Sequence, residues 1–364
     1  MRAKGHSMGE KKPFLSICIP TYNRQKLLAR MLSDVLREIR GMQGIEVCIS
    51  DNGSPDSTPK FLSASYSKPP FRLRLGAKNL GVDANLLALA DMARGEYIWY
   101  VGDDDNIIKG SLKGFLPILK RRKPDVLYMP YIAMENGKVR EMESYGDFFS
   151  KDLVMRPHTF VGSIVMRREL FTHIPRQLVE KGLETIHLHS WVLRLNGLYF
   201  PSTKLEIIDK PAILNGGSNL FPPVSWELIV HSKVFAKTYL NALFLPSISL
   251  SYRLKFLKAY ISFVARSFFF LLCERVFRNR LEPIGLKFFA TEFGPVWGAA
   301  LYLWRVLLCC VPRFILTWKL RLMMALLRKT GIVKRNSFEF LRGSWTPKSE
   351  TSEQRWLEFL HGKK

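Results

Sequence analysis

Short apolar runs alternate with amphipathic stretches in the N-terminal part of the chain. Each run has the length of a buried strand and is followed by polar or turn-forming residues. The runs are 14–20, 45–50, 71–75, 97–101 and 126–133. Between them, apolar residues recur at helical spacing over 27–39 and again over 82–93. Strands separated by helices predict βαβ units, and therefore an α/β fold with a mainly parallel sheet flanked by helices.

Polar side chains follow the predicted strands. They form four groups: Thr21-Tyr22-Asn23, Asp51-Asn52, Lys78-Asn79 and Asp103-Asp104-Asp105. Ligands of parallel α/β sheets bind beyond the carboxyl ends of the strands. The sequence therefore predicts that these groups converge on one pocket.

The run Asp103-Asp104-Asp105 is the strongest chemical signal in the chain. Three adjacent carboxylates repel one another, and a divalent cation placed among them relieves that repulsion. Carboxylate oxygens suit Mn²⁺ or Mg²⁺, and either ion also holds a diphosphate. A solvated acidic turn or a helix N-cap is the alternative interpretation of the run.

The first two groups favour recognition of a nucleotide. Asp51 is suited to accept hydrogen bonds from a base or a ribose, although a plain Asx turn explains the same residues. The segment 20–24 opens a helix, so its backbone N–H groups and Arg24 are suited to meet phosphate, and Tyr22 to pack on a base. Helix capping by Thr21 or Asn23 is the structural alternative.

Taken in order, these motifs resemble the family 2 glycosyltransferases of the GT-A fold. The resemblance covers about residues 14–110 and rests on the segments 16–24, 50–58, 79–81, 93–98 and 102–105. It implies a GT-A, Rossmann-like domain, a nucleotide-diphospho-sugar donor, a divalent metal ion and inversion at the anomeric carbon. It also implies that Asp104 is the main metal ligand, with Asp105 assisting. The wider similarity is to the subgroup that includes bacterial abequosyltransferases of O-antigen assembly.

The resemblance assigns further roles by position. Thr21, Tyr22 and Asp51 are expected to hold the nucleoside, and Asp103 is expected to face the ribose or the sugar. Together with the strand-end residues above, the predicted donor site comprises Pro20, Thr21, Tyr22, Arg24, Asp51, Asn52, Lys78, Asp83 and Asp103.

One motif of the family differs in this chain. Many relatives carry Glu-Asp-Trp after the sheet, with an acidic residue as the general base that takes the proton from the acceptor hydroxyl. The matching segment here is His189, Ser190 and Trp191. His189 is the predicted base, because imidazole exchanges protons near neutral pH, and His187 and Glu184 are its rivals. On a strand, the spacing of the two histidines would place both on the same face, which would allow them to bind a metal as a pair. A structural histidine on a helix or strand is the alternative.

The chain changes character after residue 225. Long apolar, aromatic-rich stretches are now interrupted by Arg and Lys. The polar positions of the stretch 254–272 fall on one helical stripe, which comprises Lys255, Lys258, Ser262 and Arg266. A spanning helix needs ~20 residues with almost no charge, and neither this stretch nor 296–327 provides them. Basic amphipathic helices that lie in the plane of the lipid headgroups are the better interpretation.

Charge and cysteine usage suggest where the protein works. Lys and Arg outnumber Asp and Glu by 55 to 31, and the resulting net charge of +24 favours an anionic partner. The five cysteines lack C-x-x-C spacing and the first 12 residues lack the apolar segment of a signal peptide, so we predict a reduced, intracellular protein. We expect a catalytic domain over 1–225 and a membrane-associated region over 226–364, peripheral on the cytoplasmic face of a bacterial inner membrane.

The predicted function is transfer of a sugar from a nucleotide-diphospho-sugar to a hydroxyl of a lipid-linked glycan, in the synthesis of a bacterial surface polysaccharide. A basic nucleic-acid-binding protein or metal nuclease is a competing hypothesis. No nucleic acid is expected, however, because the basic residues lie among Phe, Leu and Trp rather than in a polar groove. A nucleotide-sugar binder without activity is a second competing hypothesis, and a polytopic membrane protein with a soluble head is a third.

Overall fold

The structure of the protein is a computed structural model. The residues that it describes are 12–129, 131–135, 138–141, 153–155, 161–183, 185–208, 210–215, 236–273, 286–311 and 315. The chain divides into two compact units, Met1–Leu220 and Phe221–Lys364. The predicted boundary between residues 225 and 226 lies outside the described residues.

Alternating strands and helices build the first unit. Its strands are β1 (Leu15–Thr21), β2 (Ile45–Asp51), β3 (Phe71–Leu75), β4 (Tyr97–Tyr100), β5 (Asn106–Ile107), β6 (Val126–Tyr128), β7 (Tyr131–Glu135), β8 (Lys138–Glu141), β9 (Ile164–Arg167), β10 (Leu205–Ile207) and β11 (Ile213–Asn215). Its helices are α1 (Gln25–Ile39), α2 (Thr58–Ser65), α3 (Val82–Met92), α4 (Ser111–Arg122), α5 (Glu169–Thr172), α6 (Arg176–Glu180) and α7 (Leu188–Tyr199). The succession from β1 to β4 confirms the alternation of strands and helices that the hydrophobic pattern predicts.

A seven-stranded sheet forms the centre of this unit, in the order β10-β6-β9-β4-β1-β2-β3. The four neighbours β4, β1, β2 and β3 all run parallel. β9 runs antiparallel to both β4 and β6. Because β1 to β4 point the same way, their last residues lie along one edge of the sheet, which we call the carboxyl edge.

The predicted strand 126–133 is wrong as a single element. β6 ends at Tyr128 in the central sheet, whereas β7 begins at Tyr131 in a second sheet of order β5-β11-β7-β8. The sequence has Pro130 between them, and proline has no N–H to donate to a strand ladder. The apolar run continues across the proline, so the hydrophobic pattern alone does not separate the two strands.

Apolar side chains of both sheets and of the three helices α1, α2 and α4 form the core. Ile17, Val47 and Trp99 of β1, β2 and β4 are fully buried. Phe115 of α4 meets the Trp99 ring edge-on, with ring centroids 5.1 Å apart. The buried stripe of α1 follows helical spacing and includes Leu28, Met31, Leu32 and Val35. Burial of a large apolar side chain contributes about 1.5–3 kcal/mol, so this core holds the strands, and with them the polar residues that follow.

The described part of the second unit is helical. Its helices are α8 (Thr238–Leu243), α9 (Leu250–Cys273), α10 (Leu286–Phe293) and α11 (Pro295–Cys310). Among the helices that the structure describes, none is long and apolar enough to cross a membrane. The predicted stretch 296–327 is helical as α11 up to Cys310, and most of its remainder lies outside the described residues.

Candidate active site

The strands of the central sheet bring three of the predicted polar groups together. Thr21 at the end of β1 pairs with Asp51 at the end of β2. Cys18 pairs with Tyr100, the last residue of β4. Thr21 and Asp103 each follow that pair by three residues, so they lie opposite each other, and their side chains are hydrogen-bonded. The predicted convergence at the carboxyl edge therefore holds for the groups after β1, β2 and β4, and Asn79 of the fourth group joins them through a hydrogen bond from Asn52.

Asp103 is the centre of this cluster. Thr21 donates from Oγ1 to Asp103 Oδ2 over 2.7 Å, and Arg24 donates from Nη1 to Asp103 Oδ1 over 3.0 Å. Burial raises the pKa of Asp103 above its ordinary value, although the Arg24 charge and the Thr21 hydrogen bond act in the opposite direction. Arg24 and Thr21 thus do not fully offset the free-energy cost of burying the ionised carboxylate. A further positive charge nearby would favour the ionised form.

Asp104 shares the guanidinium of Arg24 with Asp103. Arg24 Nη1 lies 3.2 Å from Asp104 Oδ2, so one nitrogen bridges two adjacent carboxylates. Arg30 of α1 donates from Nη2 to the backbone oxygen of Asp104 over 2.8 Å. Arg30 was not predicted as a site residue, because in the sequence an arginine on a helix surface looks the same whether it binds a neighbour or only water.

The pair of Asp103 and Asp104 bridged by Arg24 has the chemistry of a divalent-cation site. The guanidinium stands in for a cation between two carboxylates. Mg²⁺ is commonly held by one or two carboxylates plus substrate phosphates, so the pair fits Mn²⁺ or Mg²⁺ in company with a diphosphate. Within the described parts of the chain, no group of three or more His, Cys, Asp or Glu side chains could hold a metal alone. A metal at this pair would complete its coordination shell with water or with phosphate oxygens of the donor.

Asp105 takes a different position from its two neighbours. Its Oδ2 accepts a hydrogen bond from the N–H of Gly102 over 3.2 Å. A Cβ at Gly102 would lie 2.8 Å from the same oxygen, so a side chain there would force the Asp105 carboxylate to move. Asp105 is not part of the pair that Arg24 bridges, and its assistance to Asp104 stays a prediction.

Asp51 and Asn52 organise the loop that follows β2. The buried Asp51 carboxylate accepts hydrogen bonds from the hydroxyl of Ser54 and, over 3.1 Å, from its N–H. This is the local turn that sequence analysis gave as the alternative to nucleoside binding. A carboxylate has about four lone-pair sites, so the turn leaves capacity for a ligand. Asn52 donates to Asn79 Oδ1 over 2.9 Å and accepts from the N–H of Leu80 over 3.1 Å.

The loops after β1, β2 and β3 brace one another. Asn23 donates its N–H to Ser54 Oγ over 2.7 Å, which joins the first loop to the second. Gly53 has a φ of 75°, and a Cβ there would lie 2.6 Å from the backbone of Lys78 in the third loop. The bracing roles of Ser54 and Asn79 were not predicted, because serine and asparagine are common in any loop. The three loops form one surface, and we call it the braced surface.

Three predicted donor residues on or beside the braced surface keep accessible side chains. Tyr22 is 40% exposed, Lys78 is exposed and Pro20 is half-buried. An accessible phenol ring is suited to stack on a base, and an accessible ammonium is suited to meet phosphate. The structure is thus compatible with the predicted roles of Tyr22 and Lys78, which stay predictions.

The predicted base lies at the start of a helix. His187 precedes α7 and His189 lies in its first turn, with ring centroids 5.4 Å apart. The predicted strand face is wrong, because Leu188–Tyr199 form a helix. The residues from Leu188 to Asn196 are all buried, and a helix that is buried on every side shows no amphipathic period in its sequence. Both histidines are buried. Glu184, the third candidate, lies outside the described residues.

Asp83 anchors the segment that carries these histidines. Its Oδ2 accepts the N–H of Ile186 over 2.6 Å, and its Oδ1 accepts the N–H of Leu188 over 2.9 Å. Ile186 has a φ of 69°, in the left-handed region that a β-branched residue rarely adopts. Because α3 follows β3, its first turn and Asp83 lie at the carboxyl edge, and the start of α7 lies there too. The place of Asp83 beside the donor stays a prediction.

Comparison with known proteins relates the sequence that builds this site to a family. Residues 16–174 match the family model described as Glycosyl transferase family 2. Over 100 residues the chain is 39% identical to Abequosyltransferase RfbV of Salmonella typhimurium. The aligned segment covers 27% of this chain and 30% of that protein. Over 162 residues it is 29% identical to the GalNAc(5)-diNAcBac-PP-undecaprenol beta-1,3-glucosyltransferase of Campylobacter jejuni, covering 39% of this chain and 48% of that protein. Each match spans less than half of the relative's own length.

A solved structure shares the fold. The crystal structure of S. aureus TarS 1-349 in complex with UDP-GlcNAc aligns with a TM-score of 0.52 and 17% identity, over 79% of this chain and 83% of that one. The predicted family and fold class are confirmed. The matched segment contains Arg24 and the aspartate pair, whereas His187 and His189 lie beyond it. Residues 16–174 of this chain are therefore a family 2 glycosyltransferase domain of the GT-A fold.

Proposed function

We propose that this protein is a glycosyltransferase that moves a sugar from a nucleotide-diphospho-sugar to a hydroxyl of a lipid-linked glycan, with a divalent metal ion and inversion at the anomeric carbon. The observation that carries the proposal is the pair of Asp103 and Asp104 that Arg24 bridges at the carboxyl edge. This edge is where parallel α/β sheets bind their ligands. The matched family supports the reaction class, and the pair supports a diphosphate site.

The braced surface is the proposed donor site. Asp51 and Thr21 hold the nucleoside, and Tyr22 stacks on its base. Arg24 and the N–H groups at the start of α1 face the diphosphate, since a helix N-terminus favours anions. The likeness to TarS, solved with UDP-GlcNAc, supports a nucleotide-sugar as the ligand.

Asp103 and Asp104 are the carboxylates proposed to hold Mn²⁺ or Mg²⁺, with Asp105 as a further candidate. The chemistry that such an ion supplies is neutralisation of the negative charge on the leaving diphosphate. Arg24 supplies positive charge to the same place, because its Nη1 lies within 3.2 Å of both carboxylates. The pair is therefore proposed to hold the leaving group.

His189 is the proposed general base. The acceptor oxygen forms a bond to the anomeric carbon while the bond from that carbon to the nucleotide diphosphate breaks. The hydroxyl proton passes to the imidazole. Attack from the face opposite the diphosphate inverts the anomeric configuration. His187 and Glu184 are the rival bases, and Asp83 positions the segment by holding the N–H groups on either side of His187.

A lipid-linked acceptor at the cytoplasmic face of a bacterial inner membrane completes the proposal. The Campylobacter relative carries PP-undecaprenol in its name, and the Salmonella relative is an abequosyltransferase. Both names support a role in bacterial glycan assembly, of which O-antigen synthesis is the proposed instance.

Thermal unfolding of the full chain tests the donor site. The protein is heated with a panel of nucleotide-diphospho-sugars and free nucleotides, in Mn²⁺, in Mg²⁺ and in EDTA. A ligand that binds only the native state stabilises it by about 2.7 kcal/mol at a hundred times its Kd. We expect one nucleotide to raise the Tm with metal and not with EDTA. Asp104→Asn should abolish that rise, whereas Asp91→Asn should keep it, because Asp91 lies in an exposed ion pair with Arg176.

Different outcomes favour different functions. A folded protein that responds to no nucleotide would contradict the proposed donor site, and a rise that persists in EDTA would contradict its metal. Salt-sensitive retention of DNA in a gel shift would favour a nucleic-acid-binding protein. Donor binding without transfer to any lipid-linked glycan would favour the inactive binder.

A further inference from the structure

Helix α9 exposes part of its apolar surface. The buried part comprises Phe256, Tyr260, Val264 and Leu271. The exposed part recurs at the spacing of one helix face and comprises Leu250, Leu254, Leu257 and Ile261. Leu250 is 71% exposed. The structure thus divides the apolar positions of this helix into a packed face and an exposed one, and we call the exposed one the α9 stripe.

Helix α11 repeats the arrangement. Its buried residues are Gly298, Leu301 and Leu308. Four of its exposed apolar residues fall on one side, namely Val296, Leu303, Val306 and Leu307, whereas the exposed Trp297 lies about a quarter turn from Val296. Val296 is 76% exposed and Leu303 is 66% exposed. We call this set the α11 stripe.

The two stripes belong to a packed unit. Trp304 of α11 donates from Nε1 to the backbone oxygen of Phe268 in α9 over 3.0 Å. Tyr260 of α9 donates its hydroxyl to the backbone oxygen of Phe293, at the end of α10, over 2.6 Å. The exposure of both stripes therefore coexists with tertiary contacts between the helices. Large exposed apolar patches mark interaction or membrane sites, and the exposed residues of each stripe are grouped on one side of their helix.

The charges on these helices indicate the occupant. Lys258 follows Leu254 by one helical turn and precedes Ile261, so it lies beside the α9 stripe. Lys258 and Lys255 are both exposed. Neither α9 nor α11 contains an aspartate or a glutamate. Apolar side chains beside lysines, without acidic residues, complement an anionic bilayer, whose phosphates attract the lysines and whose interface accepts the apolar groups.

We propose that the α9 stripe and the α11 stripe dock this protein on an anionic bilayer. The apolar side chains insert at the boundary between headgroups and acyl chains, and Lys255 and Lys258 meet lipid phosphates. Helices of this type bury their apolar face roughly 5–10 Å deep without crossing the membrane. The biological role of this docking rests on the proposed function, because a lipid-linked acceptor presents its sugar at such a surface.

Vesicle flotation of the full chain tests the docking surface. Vesicles of phosphatidylglycerol and phosphatidylethanolamine are compared with vesicles of phosphatidylcholine, and the partition coefficient is measured. Leu254→Ser, Ile261→Ser and Leu303→Ser combined should lower partitioning at least tenfold. The control is Leu36→Ser, Leu75→Ser and Ile207→Ser combined, since these are exposed apolar residues of the first unit, although they are less exposed than Leu254 and Leu303. That control should partition as the native protein does.

The lysines are tested in the same assay. Lys255→Gln combined with Lys258→Gln should lower partitioning onto the anionic vesicles about thirtyfold, at roughly 1 kcal/mol for each basic residue near the surface. It should change partitioning onto phosphatidylcholine little. Lys60→Gln combined with Lys113→Gln, two exposed lysines of the first unit, is the control.

Two results would overturn the docking surface. One is unchanged flotation of the triple stripe variant while the native protein floats. The other is a native protein that ignores vesicles but forms dimers that the triple variant loses, because a second copy would then cover the stripes. Nucleotide-induced Tm shifts separate this inference from the proposed function. A protein that floats through the stripes yet binds no nucleotide keeps the docking surface and loses the donor site.

Discussion

Neutralising Asp83 is expected to destabilise the first unit without weakening donor binding. Asp83, itself buried, accepts a part-buried hydrogen bond from Ile186 over 2.6 Å and a buried one from Leu188 over 2.9 Å. A hydrogen bond to a charged group contributes about 1.5–3 kcal/mol. Asp83→Asn keeps one acceptor oxygen but offers an NH₂ group, a donor, to the second N–H. The carboxylate also lies at the N-terminus of α7, where negative charge is favourable. We expect a loss of about 3 kcal/mol.

Thermal unfolding at neutral pH measures this loss. For a domain of 150–250 residues, a change of about 3 kcal/mol lowers the Tm by roughly 6–12 °C. Asp91→Asn is the matched control, because Asp91 lies on the same helix in an exposed ion pair with Arg176. Exposed pairs contribute about 0–1 kcal/mol, so this control should stay close to the native Tm.

The competing assignment makes the opposite prediction. If Asp83 contacts the donor, Asp83→Asn should keep the native Tm and weaken nucleotide binding, and that result would refute the anchoring role. The anchoring role instead requires a lower Tm, a preserved nucleotide-induced rise and slower turnover, because the segment with His187 and His189 loses its support.

Three further changes test the site. Arg24→Gln should tighten Mn²⁺ binding without nucleotide, measured by electron paramagnetic resonance, because the bridging guanidinium no longer competes; unchanged Mn²⁺ affinity would contradict this. Gly53→Ala should lower the Tm and abolish nucleotide binding, because its Cβ meets the Lys78 backbone. Gly41→Ala has a similar positive φ in open space and should show only the smaller cost of backbone strain, about 1–3 kcal/mol. His189→Ala should keep the donor Kd and lower kcat, whereas the exposed His173→Ala should change neither; equal kcat in both would exclude His189 as the base.

The framework of the site was predictable because its signals are local. An apolar run that ends in polar residues marks a strand end wherever the rest of the chain lies, and β1 and β2 were predicted to within one residue of their bounds. β9 was not predicted. It inserts antiparallel between β4 and β6, and Ile164–Arg167 is too short a run to reveal either its direction or its neighbours.

The contacts within the site depend on long-range packing. The sequence marks Asp83 as an acidic residue in the first turn of a helix, but its partners lie 103 and 105 residues further along the chain. Arg24 was expected to meet phosphate, and its bridge between Asp103 and Asp104 becomes visible only when β1 and β4 are neighbours. Residue type limits what a side chain can bind, and the fold selects its partner.

The braced surface separates two kinds of position that differ in their freedom to vary. Asn52 and Ser54 each hold a neighbouring loop, so a substitution at either one shifts several donor contacts at once. Tyr22 and Lys78 have exposed side chains on the same surface. A descendant of this protein could therefore change its preferred nucleotide or sugar by single substitutions at the exposed positions, with the loop framework inherited intact.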